Sequence, residues 1–452
     1  MQALIVRVRA LDSSASADLL SLAPQPSGLL TWLGAQQQVV GWGEAACIEV
    51  QGDHAIREAS AQWNALVAAA QVTNDSPYEW ASRAPFALGS FGFAADTPGF
   101  LIVPAVALVR RGDEAVVVTT TASGHDSATG SGTLGGTFDS PSDSRGADPN
   151  STRGSDSTTI FPSSSLGKPV PVSRPSAMFT KPGRMTQGQW RTAVNELIAS
   201  LNEGAASKVV LTRDIVVSSD TPIDERFLAA RLRQLYPSTW VFAVNGLIGA
   251  TPEMLAALDS GVVTSRVLAG TAAPNNGTDL FSSMKNRTEH HFAVESVARA
   301  LAPLAESLDV PTEPFLLRLP NVTHLATEVT AHVPGSNVLD IVGALHPTAA
   351  VCGTPTKLAF DLLERLEGTE RGRYTGPVGW VDGTGAGEFG IALRCGQLSP
   401  DHLDIRVFAG GGIMPDSIPG VELAETHAKM RPVLDALGLD DSDDTSLEGA
   451  EL

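Results

Sequence analysis

The sequence predicts a chain of both helices and strands, the mixed α+β class, on three observations. Strand-like runs face each other across short turns, as in LIVPAVALVRRGDEAVVVTTT around Arg111-Gly112-Asp113 and in GPVGWVD followed by FGIALRC. Helical periodicity recurs between such runs. Hydrophobic residues make up 43% of the 452 positions against 18% charged, enough to bury a large core.

The elements follow in order. Within 1–122, MQALIVRVRA and QQVVGWGEAACIEV read as strands and 57–71 as a helix. Residues 123–176 are Ser, Gly, Thr and Asp with few apolar side chains, too few to offset chain entropy, and are expected to be a disordered insertion. Residues 177–438 are dense and regular. Helices are expected at 187–203, 223–236, 284–304, 356–367 and 419–437, with strands at KVVLTRDIVV, TWVFAVN, EMLAALD, GPVGWVD, FGIALRC and IRVFAG. The tail, 439–452, carries six acids and no base, and is expected to be a solvated, disordered end.

Charge narrows the function. Lys+Arg is 31 and Asp+Glu is 50, a net −19, which argues against a nucleic-acid or anionic-membrane partner. It leaves open a small anion held in a locally basic or metal-bearing pocket. Cys47, Cys352 and Cys395 are too few and too far apart for a disulfide framework or a zinc site, and suit buried thiols in a reducing compartment. MQALIVRVRA is too short and too basic for a signal peptide, and no apolar run reaches a membrane span. A soluble, cytoplasmic protein is expected.

Several constellations could carry chemistry. Gly385-Ala-Gly387-Glu-Phe-Gly390 matches a dinucleotide fingerprint by letter, yet it lies between two strand-like runs and reads as a hairpin turn. Glu289-His290-His291 is no metal site by itself, because adjacent helical residues diverge. Glu422 and Glu425 stand i,i+3 on one helix, behind a glycine turn at Gly410, Gly411 and Gly412 that could let a ligand reach the backbone. With Glu289 on another helix they form an oxygen set suited to Mg2+. Ordinary solvent-facing acids would look the same. Lys208 opens a strand and shares a face with Val210 and Thr212. Glu253 follows Thr251-Pro252 at a turn exit. Arg394 lies late in the apolar run FGIALRC, where an arginine needs a carboxylate. His346 sits in a loop.

Nine segments in order resemble the chorismate-utilising enzymes, a family that includes isochorismate synthase, salicylate synthase, and the anthranilate and aminodeoxychorismate synthases. They are KVVLTR, GATPEML, LAGT, KNRTEH, NVTHL, LHPTAAVCGTP, RYTGPVGW, GEFGIALRC and AGGGIMPDSIPGVELAETHAKM, spanning Lys208 to Met430. LHPTAAVCGTP, GWGEA and alanine at Ala350 bring the chain nearest to the isochorismate synthases. The resemblance implies a large α+β assembly of antiparallel sheets packed face to face with helices outside, to which residues 1–122 add strands. It implies chorismate as substrate and Mg2+ as cofactor, with no amidotransferase partner and a monomer as a plausible state. The product would enter menaquinone or siderophore synthesis.

By resemblance, Lys208 is the base and Glu253 the acid. Glu289 and Glu425 hold the metal, with Glu422 contributing directly or through water. Gly270 and Thr271 contact one substrate carboxylate. Arg394, Tyr374, Gly411 and Gly412 meet the enolpyruvyl carboxylate. His324, His346 and Ala350 line the pocket, and Lys429 lies nearby. Two departures stand out: Asn286 where the family often has an acid, and Ala349 where proline is usual. The alternatives are a salicylate synthase, an amine-adding enzyme, or a non-catalytic chorismate-binding protein, the last of which should have lost Lys208, Glu253 or the metal acids.

Overall fold

In the computed structural model, which describes residues 3–12, 18–123, 160–273, 277, 279–368 and 370–439, two large sheets carry the fold. One has fourteen strands and the other ten. The N-terminal residues feed both. Leu4–Leu11, Leu30–Leu33, Gln37–Trp42, Val106–Arg111 and Glu114–Ala122 join the larger sheet, while Ala46–Val50, Phe86–Ser90 and Gly99–Val103 join the smaller. They cannot be a separate unit, since Leu30–Leu33 pairs directly with Trp240–Val244 and Phe86–Ser90 with Pro377–Asp382.

The core sits between the sheets. Trp32, Val39 and Phe242 from the larger sheet share one apolar cluster with Leu255, Val378 and Phe389 from the smaller. Each fully buried side chain of this size contributes about 1.5–3 kcal/mol. Strand alternation then sends other residues outward. Ile215, Val217, Val407 and Ala409 meet the helices Glu225–Leu235 and Pro419–Leu437. Val209, Leu211 and Ile413 meet Gln187–Asn202 and Thr356–Leu366. Helices thus cover outer faces, and the α+β class expected from the sequence is the class observed.

Four expectations need correction. The insertion does not extend to 176: Ile160–Phe161 pairs with Ala10 and Leu11, Leu166 is buried, and Val170 donates to the Pro24 carbonyl. The few apolar residues in that stretch suffice because each docks onto an existing surface. Residues 124–159 of the expected insertion, and 440–452 of the expected tail, lie outside the described residues; Leu439 is buried. The glycine triplet is no turn. Gly410, Gly411 and Gly412 continue the strand Asp404–Ile413, opposite Thr212, Leu211 and Val210. FGIALRC is not one strand: Gly387–Ile391 lies in the smaller sheet and Cys395–Leu398 in the larger.

That last break has a counterpart. Leu247–Thr251 belongs to the larger sheet and Met254–Asp259 to the smaller. The chain therefore crosses between the sheets at both places, once through Pro252-Glu253 and once through Ala392–Arg394. Proline cannot continue a ladder, and Arg394 has a positive φ of 51°, so both crossings are breaks written into the backbone. The two are bonded to each other: Ile391 N–H donates to the Glu253 carbonyl and Ala250 N–H to the Arg394 carbonyl.

Candidate active site

A cavity opens where the two crossings meet, and Glu253 and Arg394 both line it. Glu253 is 4% exposed, and burial pushes its carboxyl up to about 7, against the pull of Arg394, Lys208 and Lys429. Arg394 is also buried, yet it makes no ion pair to a carboxylate. Its Nη2 donates to His324 Nε2 at 2.8 Å, and its Nε has no hydrogen-bond partner. Among the described residues none supplies the carboxylate that the sequence demanded for this arginine, so an anion entering the cavity would meet an open donor.

The histidine state follows from that contact. Because Nε2 accepts from the guanidinium, Nδ1 carries the proton and donates to Thr271 Oγ1 (3.2 Å) or the Gly270 carbonyl (3.4 Å). Burial first, then Arg394 and Lys429, hold the His324 imidazole well below its usual range, so it is neutral. Gly270 has φ +79° and a Cβ there would stand 3.2 Å from Asn286, so this position needs glycine. Tyr374 lines the cavity and stacks on Phe408 with ring centroids 5.0 Å apart.

Three carboxylates gather around the glycine strand. A Cβ on Gly412 would overlap the Glu289 carboxylate, and one on Gly411 would lie 3.3 Å from Glu422 and 4.0 Å from Glu425. Each acid is held by a lysine: Glu289 by Lys208 at 3.1 Å, Glu422 by Lys285 at 2.6 Å and Glu425 by Lys429 at 2.5 Å. Burial works to raise Glu289, but Lys208 and the other lysines hold it below the ordinary carboxylate range. Burial and then the neighbouring Glu425 push Glu422 up. Among the described residues no three side chains are arranged as a metal cluster. The donor chemistry nonetheless fits Mg2+: the set is all oxygen, two acids repel one another, and glycine leaves the space between them clear.

The other expected residues divide. Gly270, Thr271, Ala350, Gly412, Glu289 and Lys429 line the cavity. Lys208 stands behind the lining, wholly buried, with its Nζ paired to Glu289. Gly411, Glu422 and Glu425 border the acid cluster without lining the cavity. His346 goes elsewhere. It caps the C-terminus of the helix Val338–Leu345, its Nε2 lies 3.2 Å from the Phe93 carbonyl, and it lines a second cavity with Pro347, Phe93 and Phe360. Burial lowers its pKa to about 4. Sequence reasoning missed Glu367 and Arg371, a buried ion pair behind the wall, whose signal was an acid and a base four residues apart at a helix end. It also missed Lys285, the partner of Glu422.

The family profile described as chorismate binding enzyme matches residues 157–438. The putative isochorismate synthase MenF of Mycobacterium tuberculosis is 37% identical over 293 residues, covering 60% of this chain and 78% of that protein. Isochorismate synthase DhbC of Bacillus subtilis is 34% identical over 272 residues, 56% of this chain and 68% of that protein. Among solved structures, a putative 2,3-dihydroxybenzoate-specific isochorismate synthase from Bacillus anthracis superposes with TM-score 0.72 at 24% identity, covering 93% of this chain and 99% of that one. Anthranilate synthase component I from Streptococcus pneumoniae superposes with TM-score 0.65 at 20% identity, covering 89% and 92%.

Proposed function

The chain belongs to the chorismate binding enzyme family, and from that premise we propose that it is an isochorismate synthase. Water adds at C2 of chorismate, the ring double bonds shift, and the C4 hydroxyl leaves. Lys208 takes the proton of the attacking water. Glu253 gives a proton to the departing hydroxyl, which leaves as water. No pyruvate is released and no ammonia is used.

The observation that carries this reading is the pairing at the two sheet crossings. Glu253 is a carboxyl raised to about 7 by burial, so it keeps a proton to give near neutral pH. Arg394, beside it in the same cavity, offers an unused Nε–H to a substrate carboxylate. Tyr374 and the main chain at Gly412 would complete that contact. His324, neutral and bonded on both nitrogens, orients the guanidinium and does not titrate.

Glu289 and Glu425 would hold Mg2+, with Glu422 contributing directly or through water. When bound there, the ion would bring positive charge to the second substrate carboxylate, beside Gly270 and Thr271. This accounts for a chain of net charge −19 taking a dianion.

The test is to incubate purified protein with chorismate and Mg2+ and separate the products by chromatography. Isochorismate without pyruvate supports the reading. Salicylate with pyruvate, or an amino product that depends on ammonia, rejects it in favour of another family chemistry.

A further inference from the structure

We propose that Arg371 is a positioning residue for the reaction, acting with Glu367 to fix three walls of the active-site cavity that it does not itself touch. The inference rests on the catalytic reading above. The Arg371–Glu367 pair is almost wholly buried, at 2% and 5% side-chain exposure. Nε of Arg371 donates to both carboxylate oxygens of Glu367, at 2.9 and 3.0 Å. Nη2 donates to the Val210 carbonyl at 2.6 Å, and Nη1 to the Val351 carbonyl at 2.7 Å and to Thr375 Oγ1 at 3.4 Å. The guanidinium carbon lies 4.0 Å over the Phe93 ring. Glu367 in turn accepts from Thr212 N–H at 2.9 Å.

Val210, Val351 and Thr375 all line the cavity. They come from three segments distant in sequence. Val210 lies two residues after Lys208 on its strand, Val351 directly follows Ala350, and Thr375 directly follows Tyr374. One planar guanidinium thus gathers the strand of the proposed base, the wall at Ala350 and the loop of Tyr374. Stability alone does not account for such a pair. A buried ion pair is commonly no more stabilising than apolar packing of the same volume. What the fork supplies is fixed direction, because its donors cannot move independently.

Arg226 is the natural control. It too is buried, is paired to Asp224 at 2.7 Å, and donates to two main-chain carbonyls, Ala23 and Val170. None of these residues lines the cavity. The two arginines share their local chemistry and differ in what they hold.

The experiment compares Arg371→Lys, Arg371→Met and the milder Glu367→Gln with Arg226→Met in the full chain. It measures kcat per folded molecule, KM for chorismate, and amide exchange at 208–212 and 348–352. The expected result is a kcat loss of at least about ten-fold for both Arg371 variants, with KM changed less than about three-fold, since small misplacements act on the reacting geometry. Lysine should rescue poorly, because one ammonium cannot span both carbonyls. Exchange at the two segments should quicken for Arg371 and Glu367 variants and stay unchanged for Arg226→Met. Unchanged kcat in folded Arg371→Lys or Glu367→Gln, or an equal kcat loss in Arg226→Met, overturns the proposal. Wild-type protein that neither binds nor converts chorismate would instead overturn the catalytic reading, and with it the role assigned to Arg371.

Discussion

Two sets of buried cations lie on opposite sides of one wall. Behind it, Arg371 and Arg373 spend their donors on protein. Arg371 meets Glu367 and two carbonyls, while Arg373 meets the carbonyls of Val244 and Asn245 and the Gln397 side chain. In front of it, Arg394 Nε is buried with no hydrogen-bond partner among the described residues, while Lys208 is spent on Glu289 at 3.1 Å. An unpaired buried donor is costly, and a fold selected only for stability would fill or remove it. The difference separates cations that hold the fold together from one left open for a ligand.

That contrast can be broken most sharply at the acid and base. Glu253→Gln and Lys208→Ala should each lower kcat by roughly 10²–10⁴-fold while circular dichroism shows an intact fold. Near-normal turnover in either variant would remove its assigned role.

The arginines give the next largest effect, and to different degrees. Arg371→Met leaves Glu367 buried without its partner and should cost about 3–5 kcal/mol in denaturant unfolding. Arg394→Met removes an unsatisfied donor. It also breaks the bond to His324, so it should cost about 1–3 kcal/mol, less than Arg371→Met, while raising KM for chorismate many-fold. Similar stability losses in the two variants would erase the distinction drawn here.

The pH profile follows. Glu253 acts as an acid only while protonated, and its carboxyl is raised to about 7 by burial. The Glu253 limb of the profile should therefore fall about ten-fold per unit above that pH. A profile that stays flat from pH 6 to 9 would argue against Glu253 as the group. The smallest effect belongs to His346, which lines the second cavity. His346→Gln should leave kcat within about two-fold, and a large loss would return it to the reacting centre.

Metal binding can be read apart from turnover. Calorimetry on Glu425→Gln should show weaker Mg2+ binding than wild type. Equal affinity would move the ion away from the acid cluster.

Most of the candidate site could be read in the sequence because its residues fall in ordered segments, and Arg394 stood out as a charge within an apolar run. What escaped was set by long-range pairing. The glycine triplet looked like a turn because glycines usually punctuate strands. Only its register against Val210–Thr212 reveals a strand kept bare so that acids can pack on it. FGIALRC looked continuous because hydrophobicity does not say which sheet a residue joins. Arg371 was hidden for the same reason: its partners Val210 and Val351 lie 161 and 20 residues away.

The central claim is that water adds at C2 as the C4 hydroxyl departs. It is tested most directly by running the reaction in 18O-labelled water and weighing the product. The account expects isochorismate carrying one 18O from solvent, with the original C4 oxygen lost and no pyruvate formed. Isochorismate without label would mean that the hydroxyl moves within the substrate. That would contradict the paired acid and base roles of Glu253 and Lys208.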